Sequence, residues 1–389
     1  MQGSIRKYFL LSLVFSIIAS LAFSDPIVNH RKKQVRPIKC GTSGGNIKDS
    51  TSQFCCSGTI GAQLKDANGK IYFLSNNHVF AKSNLGHVGD AISQPGLIDI
   101  LPLGTCTATP DLTVGTLKKF VKINFGQQTN NKVDAAIALA GAGMAFSGQS
   151  QAPAEIDSLG TIIAIGQPGP AKLAALGMSV QKSGRTTGLR TGTIDLIGLT
   201  IFTNYGTECG GAQNKVARFI NQIRVKRGQQ KFIDHGDSGS LLVQNVACHP
   251  TIGLLPFGDD PGNGFADQIQ DVLTLLSNPL QNQQTPGLKI NGGTCSAAPA
   301  EAENTLTVMD SRVIAARAIQ ARHEARLMAI PGVIGVGVGF AKPDSGSQEL
   351  ALVVLVTKGS RAEISSSAIP TRLDGIAVRR EISSPIRAL

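Results

Sequence analysis

The chain contains His235-Gly236-Asp237-Ser238-Gly239-Ser240 followed directly by Leu241-Leu242-Val243, and this stretch decides its fold. A serine between two glycines, preceded by an aspartate, has the surroundings that a nucleophilic hydroxyl requires. The glycines permit a tight turn that aims successive backbone N–H groups at one point. The apolar run after the turn predicts a buried strand that anchors it. We therefore predict that Ser238 is a nucleophile held on a sharp turn.

A serine hydroxyl is a weak nucleophile until a base activates it, so the base must come from elsewhere in the fold. Two upstream segments each place one ionisable residue in an apolar setting, His78 within residues 74–81 and Asp134 within residues 132–139. We expect His78, Asp134 and Ser238 to converge within hydrogen-bonding reach. A buried structural histidine is the alternative for His78 taken alone. The other histidines considered, His87, His235 and His249, lie in loop-like contexts and are given a structural role.

The composition favours many short strands over long helices. Hydrophobic residues make up 42% of the 389 residues, with 44 glycines, only 5% aromatics and no tryptophan. Between Cys55 and Val243 short apolar runs are broken by Gly, Asn, Asp and Pro, a pattern typical of a barrel or sandwich. The stretch 141–153, rich in glycine and proline, separates the histidine and aspartate candidates from the serine. A site between two β-barrels is therefore expected.

The first 24 residues have the layout of a secretory signal peptide. Arg6 and Lys7 precede the apolar run 8–23, and small residues lead to a cleavage site near Ser24. Export to a secreted or periplasmic location is expected; a retained membrane anchor is the alternative.

Removing residues 1–24 loses Arg6 and Lys7 and no acid, so the net charge falls from +11 to +9. The basic residues are scattered, which argues against a nucleic-acid-binding groove.

Seven cysteines lie in the exported part, and an oxidising compartment favours disulfides. The odd count leaves at least one thiol over. No pair has the spacing of a zinc site, so neither a metal nor a cofactor is predicted. Pairing cannot be read from sequence; we expect Cys209 to pair with Cys248, and Cys55 or Cys56 with Cys106. The cysteines are Cys40, Cys55, Cys56, Cys106, Cys209, Cys248 and Cys295.

Four motifs in order make the chain similar to a trypsin-like serine peptidase of the chymotrypsin fold, in a bacterial branch near the α-lytic and streptomycete proteases. They are Ser75-Asn76-Asn77-His78, Val133-Asp134-Ala135-Ala136, the stretch 182–194 and Gly236-Asp237-Ser238-Gly239-Ser240. The order His, Asp, Ser differs from subtilisins and α/β-hydrolases. The resemblance covers residues 40 to 280 and implies an all-β double barrel, with barrel 1 at about 40–150 and barrel 2 at about 155–280. A closing helix is predicted over residues 267–276, with Asp267 as its N-cap.

The resemblance also implies a role for each residue of the site. Ser238 would attack the scissile carbonyl, His78 would carry its proton, and Asp134 would orient the imidazole. The N–H groups of Gly236 and Ser238 would form the oxyanion hole. Asp237, behind the turn, would be buried and would need a cation, Lys182 as first choice and Arg185 as second.

The resemblance implies substrate specificity from four further positions. Phe232, six residues before Ser238, lies where pockets for basic side chains carry an aspartate, so an apolar or small residue is expected on the acyl side of the cleaved bond, the P1 position. The substrate would pair as an added strand with Pro256, Phe257 and Gly258. Two positions depart from the family. Pro256 stands where a serine hydroxyl usually supports the triad aspartate, and Val79 stands where a cysteine commonly follows the catalytic histidine.

The rest of the chain changes character. Residues 281–305 are interpreted as a linker, and residues 306–389 as a small α+β domain with a helix over 307–329 and strands over 332–340, 350–356 and 376–382. A stabilising or partner-binding role is preferred for this domain; an intramolecular inhibitor, a folding chaperone and a substrate-binding addition are alternatives.

Together these observations predict an exported, monomeric serine endopeptidase that acts on polypeptides. It is expected to bind no nucleic acid and to have no stable membrane insertion once the signal peptide is removed. Two rivals remain. One is an inactive pseudoprotease used for peptide binding or adhesion, and the other is a serine esterase with the same triad.

Overall fold

The computed structural model describes residues 30–145, 155–156, 160–161, 173–206, 208–209, 215–278, 285–293, 305–343, 345–360 and 368–389. The predicted signal peptide, Cys295 and much of the stretch 141–153 lie outside these described residues. No helix among them is both long enough and apolar enough to cross a membrane.

Short strands dominate the first half of the chain. They are β1 (Thr42–Asn46), β2 (Gly58–Ile60), β3 (Ala62–Lys65), β4 (Ile71–Ser75), β5 (Ala91–Ser93), β6 (Thr113–Phe120), β7 (Gly126–Asn131), β8 (Ala136–Ala140), β9 (Glu155–Ile156), β10 (Gly160–Thr161), β11 (Ala175–Leu176) and β12 (Ser179–Lys182).

The second half contains twelve further described strands. They are β13 (Arg190–Tyr205), β14 (Lys215–Arg227), β15 (Ser240–Gln244), β16 (Thr251–Gly258), β17 (Gly264–Gln268), β18 (Lys289–Ile290), β19 (Leu306–Thr307), β20 (Val333–Phe340), β21 (Leu350–Thr357), β22 (Arg372–Leu373), β23 (Ile376–Ser383) and β24 (Arg387–Ala388). The helices are α1 (Asn77–Phe80), α2 (Ile269–Ser277) and α3 (Ser311–Met328), with 3-10 turns at Leu97–Asp99, Pro110–Leu112 and Lys358–Ser360.

The first barrel closes through a strand that is interrupted by one residue. The pairing runs β3–β4–β8–β6–β5–β1–β2, and only Gly61 separates β2 from β3. The two short strands therefore act as one, and six strands form a ring. Leu64, Phe73 and Ile137 are fully buried inside it.

The second barrel closes by direct pairing. Its ring runs β13–β12–β15–β16–β17–β14, and β14 pairs back onto β13 from residue 192 to residue 205. The apolar runs around the ring bury Ile194, Val225 and Leu255. The predicted all-β double barrel is thus confirmed.

Helix α2 leaves the second barrel and packs on the first. Its apolar face, Ile269, Val272 and Leu276, is buried in the first barrel's core, as the spacing of these residues predicts. The predicted N-cap was wrong, however: Gln268 takes that position and Asp267 belongs to β17. Asp267 pairs with Leu254 of β16, and its carboxylate accepts a hydrogen bond from the backbone N–H of Asp134.

The last part of the chain extends the second barrel. Strand β20 pairs antiparallel with β13, β21 pairs with β20, and β23 lies parallel to β21. Glycines alternate in β20 because it lies tightly on β13: a Cβ on Gly337 would be 2.9 Å from Leu199 Cδ1, and one on Gly339 would be 2.6 Å from Leu196 Cδ2. Within the stretch interpreted as a linker, β18 pairs with β3 of the first barrel.

The disulfides differ in part from expectation. Cys55 pairs with Cys106, as expected, but Cys56 pairs with Cys209. The expected Cys209–Cys248 pair is therefore wrong. The adjacent residues Cys55 and Cys56 precede β2 and bond to cysteines 51 and 153 residues away along the chain. Cys248 is also disulfide-bonded, whereas Cys40 is a buried free thiol.

Candidate active site

The serine lies on a turn that only glycine can form. Gly236 has φ +91° and Gly239 has φ +94°, a conformation that residues with a Cβ rarely adopt. A Cβ on Gly239 would also lie 2.2 Å from the carbonyl oxygen of Thr59 in the first barrel. Thr59 fixes the turn further, since its N–H donates to the carbonyl of Ser238 at 2.7 Å. The turn is thus held at the contact between the two barrels.

Two backbone N–H groups of the turn are unused. Within the described part of the chain, neither the N–H of Gly236 nor that of Ser238 has a hydrogen-bond acceptor, whereas the intervening N–H of Asp237 donates to Asp234. Flanking donors of this kind on a turn are suited to binding an oxyanion.

A buried ion pair supports the turn from behind. The ammonium of Lys182 lies 3.0 Å from Oδ2 of Asp237, and both side chains are fully buried. Burial alone would raise the pKa of Asp237, but the charge of Lys182 and hydrogen bonds from Thr187 and Thr186 lower it. Arg185, the second candidate, instead pairs with Asp99 through two hydrogen bonds.

The histidine and aspartate form the second part of the site. His78, on α1, places Nδ1 2.7 Å from Oδ2 of Asp134, and its backbone N–H donates to Oδ1 at 3.1 Å. Burial would lower the pKa of His78, but the charge and hydrogen bond of Asp134 outweigh it and raise that pKa. With Nδ1 committed to Asp134, Nε2 is left facing the cleft and is suited to accept a proton.

Asp134 is fully buried and receives support that the sequence did not reveal. The phenol of Tyr205, at the end of β13, donates to Oδ2 of Asp134 at 2.8 Å. The backbone N–H of Asp134 donates to the carboxylate of Asp267. Burial, followed by the charge of Asp134, raises the pKa of both Tyr205 and Asp267 well above their usual values. Tyr205 thus supplies the hydroxyl that a serine at position 256 would usually supply. The proline at position 256 was the one sign in the sequence that Asp134 needed another hydrogen-bond donor.

Ser238 and His78 both contact a third residue, Leu389. Oγ of Ser238 donates to the carbonyl of Pro256 at 3.0 Å and accepts from the backbone N–H of Leu389 at 3.3 Å. Nε2 of His78 lies 3.3 Å from the carbonyl oxygen of the same Leu389. Among the described residues, Ser238 and His78 share no hydrogen bond. Ser238 itself is fully buried.

The predicted specificity residues lie in the second barrel. Phe232 is fully buried, with its ring against Gly192 and Gly264. Phe257 and Gly258, which follow Pro256 in β16, pair with β24. Of the histidines given a structural role, His87 and His235 are exposed, and His249 contacts Gln181. In the described part of the chain no three His, Cys, Asp or Glu side chains group as a metal site.

Comparison with known proteins returns serine proteases. No protein-family model matches the chain, and no curated sequence matches it significantly. A Nocardiopsis protease structure is 17% identical, covers 60% of this chain and 96% of its own, and has a TM-score of 0.35. A glutamic-acid-specific serine protease is 15% identical, with coverage of 61% and 96% and a TM-score of 0.37. Thermobifida fusca protease A is 18% identical, with coverage of 60% and 94% and a TM-score of 0.34.

Proposed function

We propose that the protein is an exported serine endopeptidase whose catalytic triad is His78, Asp134 and Ser238. One observation carries the proposal. An imidazole oriented by a buried carboxylate and a serine on a glycine turn both contact one residue, Leu389, at 3.3 Å. Four of the features that acyl transfer needs are then present in one cleft: a nucleophile, a base, an orienting acid and unused N–H donors.

The residues divide the reaction as follows. Ser238 attacks the scissile carbonyl carbon while Nε2 of His78 takes the hydroxyl proton and then delivers it to the leaving amine. Asp134 holds the imidazole with its proton on Nδ1 and stabilises the imidazolium that forms. The N–H groups of Gly236 and Ser238 bind the oxyanion, a contribution of about 2.7–4 kcal/mol per donor in enzymes of this kind. Water then releases the acyl group by the same steps in reverse order.

The substrate is proposed to bind as a strand on Phe257 and Gly258, with an apolar P1 side chain. The apolar surroundings of Gly258, with Ile233 and the cluster that contains Phe232, support this preference, because an apolar wall offers a basic side chain no counter-charge. The two disulfides resolved between described cysteines support an exported location.

Labelling of the mature protein with a fluorophosphonate probe tests the proposal, and the reaction is followed until labelling is complete. Stoichiometric labelling that maps to Ser238 and vanishes in Ser238→Ala is expected, since only an activated serine reacts. His78→Ala should slow labelling by about 10³-fold or more. Turnover of peptide substrates above matched esters separates a peptidase from an esterase. An unreactive serine would favour a peptide-binding pseudoprotease, which is the second candidate because the observed cleft is occupied.

A further inference from the structure

Residues 384–389 lie beside the proposed catalytic residues. We call residues 384–389, Ser-Pro-Ile-Arg-Ala-Leu, the cleft segment. Its strand β24 pairs antiparallel with β16, with Ala388 opposite Phe257 and Arg387 opposite Gly258. Antiparallel addition to a sheet edge is a common way for a protein to hold an extended peptide. The cleft segment therefore occupies the edge that the proposed function assigns to a substrate.

The reacting atoms are engaged by the segment's last residue. The backbone N–H of Leu389 donates to Oγ of Ser238, and its carbonyl oxygen contacts Nε2 of His78. Ser238 meanwhile donates its own proton to the carbonyl of Pro256. The base therefore cannot take the proton of Ser238 until Leu389 leaves.

The side chain of Leu389 fills the position of a P1 residue. Its Cδ1 would lie 2.6 Å from a Cβ built on Gly258, so leucine and glycine are in close contact. It also packs against the apolar cluster that contains Phe232, Ile233 and Leu255. A branched apolar side chain of this size thus fits the pocket as it stands.

The segment is anchored at its other end. Ile386 is 1% exposed and packs in the cluster that contains Tyr205 and Phe257. Its carbonyl accepts from the N–H of Asn204 at 2.9 Å. Three residues upstream of Ile386, Ser383 ends β23, which is paired along its length with β21. Anchoring of this kind keeps a peptide at an effective concentration of about millimolar or more.

We infer that the cleft segment is a built-in, substrate-like occupant that holds the enzyme inactive until it is displaced, and that the enzyme's substrates carry leucine at P1. This inference rests on the proposed function. Of the roles considered for residues 306–389, it selects intramolecular inhibition and gives its structural basis: one residue separates the nucleophile from the base.

The rate of fluorophosphonate labelling of Ser238 tests the inference in three proteins: the wild type, a chain shortened to end at Ser383, and Leu389→Asp. The point variant keeps the anchor at Ile386 and places a charge in an apolar pocket. We expect the shortening and Leu389→Asp each to raise the labelling rate and the rate of hydrolysis of an acyl-Arg-Ala-Leu anilide by about 10-fold or more. The reason is that the cleft segment, which competes from within the same chain, no longer occupies the site. The peptide Ser-Pro-Ile-Arg-Ala-Leu should inhibit Leu389→Asp competitively.

Ile382→Asp is the matched control, because it places the same charge on an exposed residue of β23 that lies outside the cleft. Its labelling rate should equal that of the wild type, and thermal unfolding confirms that each variant is folded. Equal rates in the wild type, the shortened chain and Leu389→Asp would overturn the inference and leave the proposed function standing. A rise in Ile382→Asp as large as in Leu389→Asp would also overturn it. Absence of labelling in every protein would overturn the proposed function itself.

Discussion

The phenol of Tyr205 donates a 2.8 Å hydrogen bond to Oδ2 of Asp134. The same oxygen lies 2.7 Å from Nδ1 of His78, and the tyrosine ring stands edge-on to the imidazole with centroids 6.0 Å apart. Tyr205 of the second barrel thus hydrogen-bonds to the carboxylate of Asp134, which belongs to the first barrel. It fixes the position of Asp134 without touching the reacting atoms.

Tyr205→Phe should therefore lower kcat by about 10- to 150-fold, since a hydrogen bond to a charged group contributes about 1.5–3 kcal/mol. KM should change little. Without the phenol, the carboxylate attracts the imidazolium more strongly, so the pKa of His78 should rise and the acid limb of the kcat/KM profile should move to higher pH. The pH profile distinguishes positioning from a general loss of stability.

Tyr72→Phe provides the control for this substitution. Its phenol is also buried and also donates to a carboxylate, that of Asp66 at 2.9 Å, but in the first barrel away from the triad. It should leave the acid limb in place. An equal movement of the limb in both variants, or none in Tyr205→Phe, would contradict the assigned role.

The pH dependence of the wild type follows from His78. The imidazolium form cannot accept the proton of Ser238, so activity is lost as pH falls through the pKa of His78. Because Asp134 raises that pKa above 6.5, half-maximal kcat/KM on the acid side is expected above pH 6.5. Measuring kcat/KM between pH 5 and 9 on Leu389→Asp gives the midpoint free of competition by the cleft segment. A midpoint below 6.5 would contradict the electrostatic reasoning.

The buried pair behind the nucleophile should dominate local stability. Asp237→Asn leaves the Lys182 ammonium buried without its counter-charge, which costs about 3–5 kcal/mol. Lys182→Met should cost a similar amount, and the double variant should recover much of the loss, because no lone charge remains. Urea unfolding of the three variants measures this directly. Additive losses in the double variant would contradict the ion-pair interpretation.

The same pair predicts a pH window. The pKa of Asp237 is lowered in the fold, so its contribution to stability is present above its ordinary value of 3.8 and is lost as pH falls through the lower folded value. The difference in unfolding free energy between the wild type and Asp237→Asn should therefore be constant near neutral pH and narrow below about pH 4.

The features that could be predicted from the sequence are those set by residues close together in the chain. The glycine turn around Ser238 and the apolar setting of His78 and Asp134 carry their chemistry locally, and the structure brings all three to one cleft. The strand periodicity of residues 332–340 and 350–356 likewise anticipated β20 and β21. These features are readable because hydrophobic spacing and glycine conformation act within a few residues.

What the sequence did not reveal depends on contacts between distant residues. Tyr205 lies 71 residues from Asp134, and nothing in its neighbours indicates that its hydroxyl faces a carboxylate. Asp267 looked like an N-cap because capping is a local property, whereas its actual partner is 133 residues away. The contact of Leu389 with His78 spans 311 residues. Pairing of Cys56 with Cys209 belongs to the same class.

The contact between Gly258 and Leu389 yields a prediction about specificity. A Cβ on Gly258 would lie 2.6 Å from Cδ1 of Leu389 and 2.8 Å from Cγ2 of Ile233. Gly258→Val should therefore narrow the P1 pocket, and overpacking of about 1–3 kcal/mol predicts a loss of about 5- to 150-fold for leucine at P1. Alanine at P1 should be affected far less.

The quantity to measure is the ratio of kcat/KM for two anilides that differ only in leucine or alanine at P1. Occupancy of the cleft by residues 384–389 lowers both values equally and cancels from the ratio, so the result does not depend on how firmly that segment is bound. Gly228→Val serves as the control, since a Cβ there meets nothing closer than 3.9 Å and the residue is exposed. A Gly258→Val ratio equal to that of Gly228→Val would show that the P1 side chain lies elsewhere, because a pocket walled by Gly258 cannot accept an added isopropyl group without discriminating against leucine.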